Sequence, residues 1–156
     1  MSCEDSINIV KSSGHISEIK IIGSLSDGLD IDFSSLSIDY LMVNDAGNDC
    51  ADFSGGKYIM GVLSLSNCGD KGVSIGEQSI ISIEDLSIKR SIIGIASKDS
   101  SVSSIQSTHF DDVEICLDVY QKKQEFFGSM LSINQLNCDG KRYRKDSNST
   151  LLDYEL

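Results

Sequence analysis

Asp27-Gly28-Leu29-Asp30-Ile31-Asp32 is answered 22 residues later by Asp49-Cys50-Ala51-Asp52-Phe53. Acid, small residue, apolar, acid, apolar recur in the same order. Followed outward, the period holds. Ile7, Leu29, Ala51, Val73, Ile95 and Leu117 stand 22 apart, and so do Ile9, Ile31, Phe53, Ile75, Ser97 and Val119. A fixed period of this length is the mark of stacked structural repeats.

Three further series obey it. They are Ile16, Ile38, Met60, Ile83, Ile105; then Ile19, Leu41, Leu63, Leu86, Thr108, Leu131; then Ile21, Val43, Leu65, Ile88, Phe110, Ile133. All three take a one-residue insertion between residues 65 and 83. Within a repeat the order is apolar-x-apolar, a turn, then apolar-x-x-apolar-x-apolar. Alternation with period two describes strands with one buried face. Each segment is too short for a helix and is bounded by Gly, Asp, Ser or Asn. The Asn-bearing signature of a leucine-rich repeat is met only near Val62-Leu63-Ser64-Leu65-Ser66-Asn67.

The expected fold is therefore all-β: a right-handed parallel β-helix solenoid of about 22 residues per turn with five to six rungs. Rungs about 4.8 Å apart make a rod of roughly 25–30 Å. One domain is expected over 1–156, with rungs over 7–133 and a cap or tail over 120–156. The absence of proline suits paired strands. Gly28, Cys50, Gly72, Gly94 and Cys116 share one column and read as a tight corner. Open sheet edges pair with other chains unless covered. No covering helix precedes Ile7, so an end is expected to meet another domain or subunit, or further rungs of a larger protein.

Charge excludes some partners. At net charge −11 the surface repels nucleic-acid backbones and anionic lipid, so neither nucleic acid nor membrane insertion is expected. No apolar run approaches the roughly 20 residues of a membrane span. Met1-Ser2-Cys3-Glu4-Asp5 lacks the basic start and apolar run of a secretory signal.

The phrases Asp27 to Asp32, Gly69 to Glu77 and Ile93 to Asp99 resemble repeats of the pectate-lyase-like superfamily of right-handed parallel β-helices. Gly69 to Glu77, Ile93 to Asp99 and Tyr120-Gln121-Lys122-Lys123 are similar to β-helix domains on larger bacterial envelope or spore-coat-kinase-like proteins. The resemblance covers 7–133. It implies a non-catalytic structural or binding module of bacterial cell-envelope or polysaccharide biology, in a parent protein of the envelope or secreted. It also invites comparison with polygalacturonase-type hydrolases, whose successive turns carry Asn-Thr-Asp, Asp-Asp, Gly-His-Gly and Arg-Ile-Lys. Asp27, Asp49 and Lys98 fall on that pattern and become catalytic candidates. Asn48 replaces one aspartate, the histidine is missing, and Ala96 stands for the arginine.

Asp30 and Asp52 share a column flanked by inward apolar residues and are expected to point outward. Like charges on adjacent rungs repel unless hydrated, protonated or bridged by a cation. Asp27, Asp30, Asp49 and Asp52 form an acidic face with three readings. It is a solvated strip beside Lys71, a Ca²⁺ site centred on Asp30 and Asp52, or an acid and base for a polysaccharide hydrolase or lyase.

His15 and His109 lie on separated rungs and read as surface residues. Cys3, Cys50, Cys68, Cys116 and Cys138 contain no Cys-x-x-Cys pair. Cys116 and Cys138 read as stacked buried thiols. Phe126, Phe127, Tyr120 and Tyr143 gather with Lys122, Lys123, Lys141, Arg142, Arg144 and Lys145 in the tail. They read as an aromatic cap on the last rung or as a contact for a partner.

Overall fold

The computed structural model describes residues 4–154. Among these, all regular structure is strand. The strands are β1 (Ile7–Val10), β2 (Ser13–Ser24), β3 (Leu29–Asp32), β4 (Ser35–Ala46), β5 (Ala51–Ser54) and β6 (Lys57–Cys68). Then come β7 (Lys71–Gly76), β8 (Ile80–Lys98), β9 (Val102–Tyr120), β10 (Met130–Cys138), β11 (Lys141–Lys145) and β12 (Thr150–Asp153). Every pairing is parallel, and each strand pairs with its counterpart one coil on. The molecule is a parallel β-solenoid of about 22 residues per coil and roughly seven coils.

Each coil has three straight runs. The first is the short strand, as in β1, β3 and β5. The long strand is split by a bend where register skips one residue, at Ser17, Asp39, Gly61, Glu84, Gln106 and Asn134. This yields a second run (Ser13–Ile16 and its successors) and a third (Glu18–Ile22 and its successors). Left-handed residues turn the chain from the third run to the next coil: Gly23, Asp45, Asn67, Arg90 and Asp112, with φ of 82°, 64°, 54°, 65° and 57°. Asn67, Arg90 and Asp112 carry side chains that bond across coils. Arg90, for example, donates to Asn67 Oδ1 and to Asp112 Oδ2.

The predicted columns are the core. Leu29, Ala51, Val73, Ile95 and Leu117 are fully buried, as are Ile31, Phe53, Ile75, Ser97 and Val119. The shared one-residue slip is the corner Glu77–Ser79, which has three residues where Gly55–Gly56 has two.

Four expectations change. The rung count is roughly seven, not five to six, because the period survives into the tail. A corner of nine residues, 121–129, separates β9 from β10, so Met130 pairs with Val102 at a step of 28. The last members of two series are consequently corrected: Leu131 lies beside Ser103 and Ile133 beside Ile105, while Thr108 and Phe110 continue to Leu136 and Cys138.

The cysteines are also corrected. Cys50–Cys68 and Cys116–Cys138 are disulfides, with Cα atoms 5.2 and 6.2 Å apart. Each joins the beginning of one coil to its end, a contact within a coil that column spacing does not register. Cys3 lies outside the described residues.

Finally, the aromatic tail covers the last coil only in part, through Tyr143, which follows Leu117 on an inward column. Phe127 is 82% exposed and Tyr143 46%. Two of the four inward columns end in charge, while the Leu117 column ends in Tyr143 and the Leu131 column in Leu151. Lys145 follows Val119, and Asp153 follows Ile133 and pairs with Arg142. Inward-pointing charge is a common way to blunt a sheet edge.

A column absent from the sequence reading lines the corner between first and second runs. Ser12, Ser34, Gly56, Ser79, Ser101, Ser129 and Ser149 each precede the second run. Ser34 donates to Asp32 O, and Ser79 to Gly76 O. Gly56 has no hydroxyl, yet the equivalent carbonyl, Ser54 O, is served at 2.9 Å by the Tyr58 phenol from inside the core.

Candidate functional site

The outward side of the first-run face carries the candidate residues. Its central column reads Asn8, Asp30, Asp52, Ser74, Ala96, Asp118, Arg144. Beside it run Asp32, Ser54, Gly76, Lys98 and Tyr120. On the other flank, at the entry to the run, stand Asp27, Asp49 and Lys71. Alternation along each short strand sends these side chains out because their neighbours fill the core.

Asp27 and Asp49 belong to a ladder. Asp5 Oδ1 accepts the Asp27 N–H, Asp27 Oδ1 accepts the Asp49 N–H, and Asp49 Oδ1 accepts the Lys71 N–H, at 3.1, 3.0 and 3.1 Å. Asn48 also donates to Asp27 Oδ1. Each carboxylate thus holds the corner of the next coil. Lys71 Nζ lies 3.3 Å from Asp49 Oδ1 and also pairs with Asp70. Burial nevertheless outweighs Lys71 and lifts the Asp49 carboxyl to about 6. Lys71 stays above its ordinary value, because its bonds to Asp70 and Asp49 overcome the effect of its own burial.

Asp30 and Asp52 are adjacent in the central column, as expected, but neither stands freely in solvent. Asp30 Oδ2 accepts Asn8 Nδ2 at 2.6 Å. Burial, then the neighbouring Asp32 and Asp52, raise its carboxyl to about 7. Asp52 is raised by deeper burial, with Lys98 and the Ser74 hydroxyl pulling it back. Its Oδ1 is buried with no hydrogen-bond partner. Among the described residues, no group of three or more His, Cys, Asp or Glu side chains is gathered as a metal-binding set.

Lys98 bends back along the face. Its chain lies over Gly76, where a Cβ would come within 3.0 Å of its Cε, and its ammonium donates to Ser74 Oγ. Burial lowers its pKa, with Asp52 opposing. Lys98 and Asp52 are therefore brought together through Ser74, whereas Asp27 and Asp49 are engaged along the ladder. Ser74 and Gly76 carried no signal in the sequence beyond their place in the period.

Toward the C-terminal coils the face becomes a shallow groove of about 520 Å³, lined by Lys71, Ile93, Asp118, Tyr120, Arg144 and Asp146 among others. Asp118 is buried and takes a two-pronged ion pair from Arg144 one coil on. A 22-residue spacing brings Asp118 into the column of Asp30 and Asp52 but does not reach this partner, because the step to Arg144 is 26 residues. His15 and His109 are both exposed and lie on different faces, the second and third runs.

No family model, curated protein or solved structure matches the chain. No helix among the described residues is long and apolar enough to cross a membrane.

Proposed function

We propose that the chain is a non-catalytic binding module whose first-run face holds an extended polysaccharide, within the biology of a bacterial cell envelope. The groove beside Tyr120 carries this reading. It is a rigid open trough on a straight sheet, bordered by one half-buried aromatic ring and by fixed charges. Polar groups repeating every rung suit a polymer that is itself repetitive, and an aromatic face gives a sugar ring an apolar platform. The resemblance to pectate-lyase-like repeats points the same way. Two disulfides suit a chain that matures in an oxidising compartment.

Titration calorimetry against polygalacturonate, alginate and a neutral glucan tests it. Binding to at least one, weakened by Tyr120→Ala while the melting temperature holds, is the expected result. No heat with any of the three, at protein concentrations able to reveal millimolar affinity, removes the proposal.

A second reading is a polysaccharide hydrolase or lyase working on the acidic face, with or without Ca²⁺. Its support is the pair of carboxyls lifted to about 7 and about 6, Asp30 and Asp49, beside the shielded Lys98. Release of reducing ends or unsaturated sugars would favour this reading, and loss of that turnover in Asp49→Asn and Lys98→Met would assign the residues.

A further inference from the structure

The second-run face differs from the rest of the surface. Its outward positions form two columns of seven that follow one another by register, one running from Ser13 to Thr150 and the other from His15 to Leu152. The chain has 24 Asp and Glu, and none of them stands in these columns. Isoleucine, valine, methionine and leucine occupy five of the positions at 39–66% exposure. Hydroxyls fill most of the others. Ile80, Val102 and Met130 sit on three successive coils, and a shallow apolar hollow runs between Ile59, Ile80 and Val102. Phe127 stands at the rim. It is held there by reciprocal bonds with Ser100, whose N–H donates to Phe127 O and whose Oγ accepts the Phe127 N–H.

We propose that this face pairs with the same face of a second copy of the chain. Exposed apolar side chains set in a row on a rigid sheet mark an interaction surface. Lys57 and His15 stand at the N-terminal end of the face, His15 paired with Asp39 at its border, but the stretch of these columns from Ile80 to Leu152 carries no charge. A partner for that stretch must be flat and furnished with methyls and hydroxyls, and the same stretch of a second copy meets those terms. Charge selects it too. Two copies each carrying −11 repel through any acidic face, and this is where carboxylates are missing. Two sheets stacked about 10 Å apart would interleave the apolar column with the serine column. The extent sets the strength. Seven rungs by four residues span about 29 by 13 Å, roughly 400 Å² of projected area per copy. That lies in the range of weak, concentration-dependent association. The inference does not rest on the polysaccharide reading, which uses the first-run face.

Sedimentation equilibrium of the full chain, from about 10 µM to about 1 mM, reads the association directly. The expected result is a monomer–dimer equilibrium that strengthens when salt screens the like net charges. Val102→Lys and Ser104→Arg place a cation at the centre of the face without touching the core. Each is expected to weaken association at least about tenfold, the loss that follows from burying an unpaired charge. Ser87→Lys, on the third run, is expected to leave association unchanged or slightly stronger. Thermal melts of all variants confirm folding. A monomer across the whole range overturns the proposal, as does a dimer indifferent to both Val102→Lys and Ser104→Arg. A monomer that adsorbs to crystalline cellulose or chitin, and is released by Val102→Lys, overturns self-pairing and assigns the face to a flat polymer surface.

Discussion

Tyr58→Phe removes one oxygen from the core and tests how the coils are held in step. The phenol is 1% exposed and donates toward Ser54 O at 2.9 Å and Ile31 O at 3.2 Å. It does for the third coil what Ser34 and Ser79 do for their own. Ser54 O keeps a second donor, the Phe33 N–H at 2.8 Å, so the substitution strands no carbonyl completely. The ring stays packed, 5.1 Å centroid to centroid from Phe53. What is lost is one buried hydrogen bond, about 1–1.5 kcal/mol. In a domain of this size that lowers the melting temperature by about 2–6 °C. Ser79→Ala, at the matching corner, should cost a similar amount. Tyr40→Phe, on an outward half-buried ring of the third run, should cost less than about 0.5 kcal/mol. Urea or thermal denaturation followed by circular dichroism measures all three. If Tyr58→Phe is indistinguishable from wild type while Ser79→Ala is destabilised, the phenol does not replace the missing serine and the reasoning fails.

Asp30→Asn should separate with pH. The folded carboxyl titrates near 7 against an ordinary 3.8, so its stabilising share is present below the lower value and lost as pH rises through the higher. The variant should therefore melt above wild type at about pH 8 and level with it at about pH 4, and a constant gap would contradict the burial argument. Asp27→Ala should cost about 1–2 kcal/mol by freeing the Asp49 N–H, whereas Asp27→Asn should retain much of that bond. Unchanged melting of both, with loss of turnover, would instead mark Asp27 as catalytic. Reduction of the two disulfides, which close loops of 18 and 22 residues, should lower stability by about 3 kcal/mol each in the chain-entropy picture. Melts with and without reductant, beside alkylation mass spectrometry, would show it. Gly94→Ala should be severely destabilising, because the new Cβ would meet Cys116 O at 2.5 Å and the Phe110 ring.

The solenoid was legible because burial repeats. Leu29, Ala51 and Val73 must each fill the same slot above the one below, so the hydrophobic effect writes the coil length directly into the chain. Legibility failed where the corner changes length. The nine residues of 121–129 moved Leu131 and Ile133 out of their assumed columns, since a corner on the surface can lengthen at small cost while the strands after it keep their register. The same slip hid Arg144 from Asp118. The disulfides failed for another reason. Cys50 and Cys68 are neighbours because the coil closes on itself, and a linear period measures distance along the rod, not around it.

The sequence alone thus determined the period, the buried columns and the acidic bias of the rungs holding Asp30 and Asp52, all of which follow from which residues avoid water. Only the tertiary structure decided what those outward residues do. It tied Asp27 and Asp49 to the backbone of the next coil, folded Lys98 over Gly76 toward Ser74, and collected the carboxylate-free second-run face. Burial is nearly a property of each residue type, and so it can be read along a chain. A side chain's hydrogen-bond partner depends on which backbone group lies a few ångströms away, and that is fixed only once the coils stack.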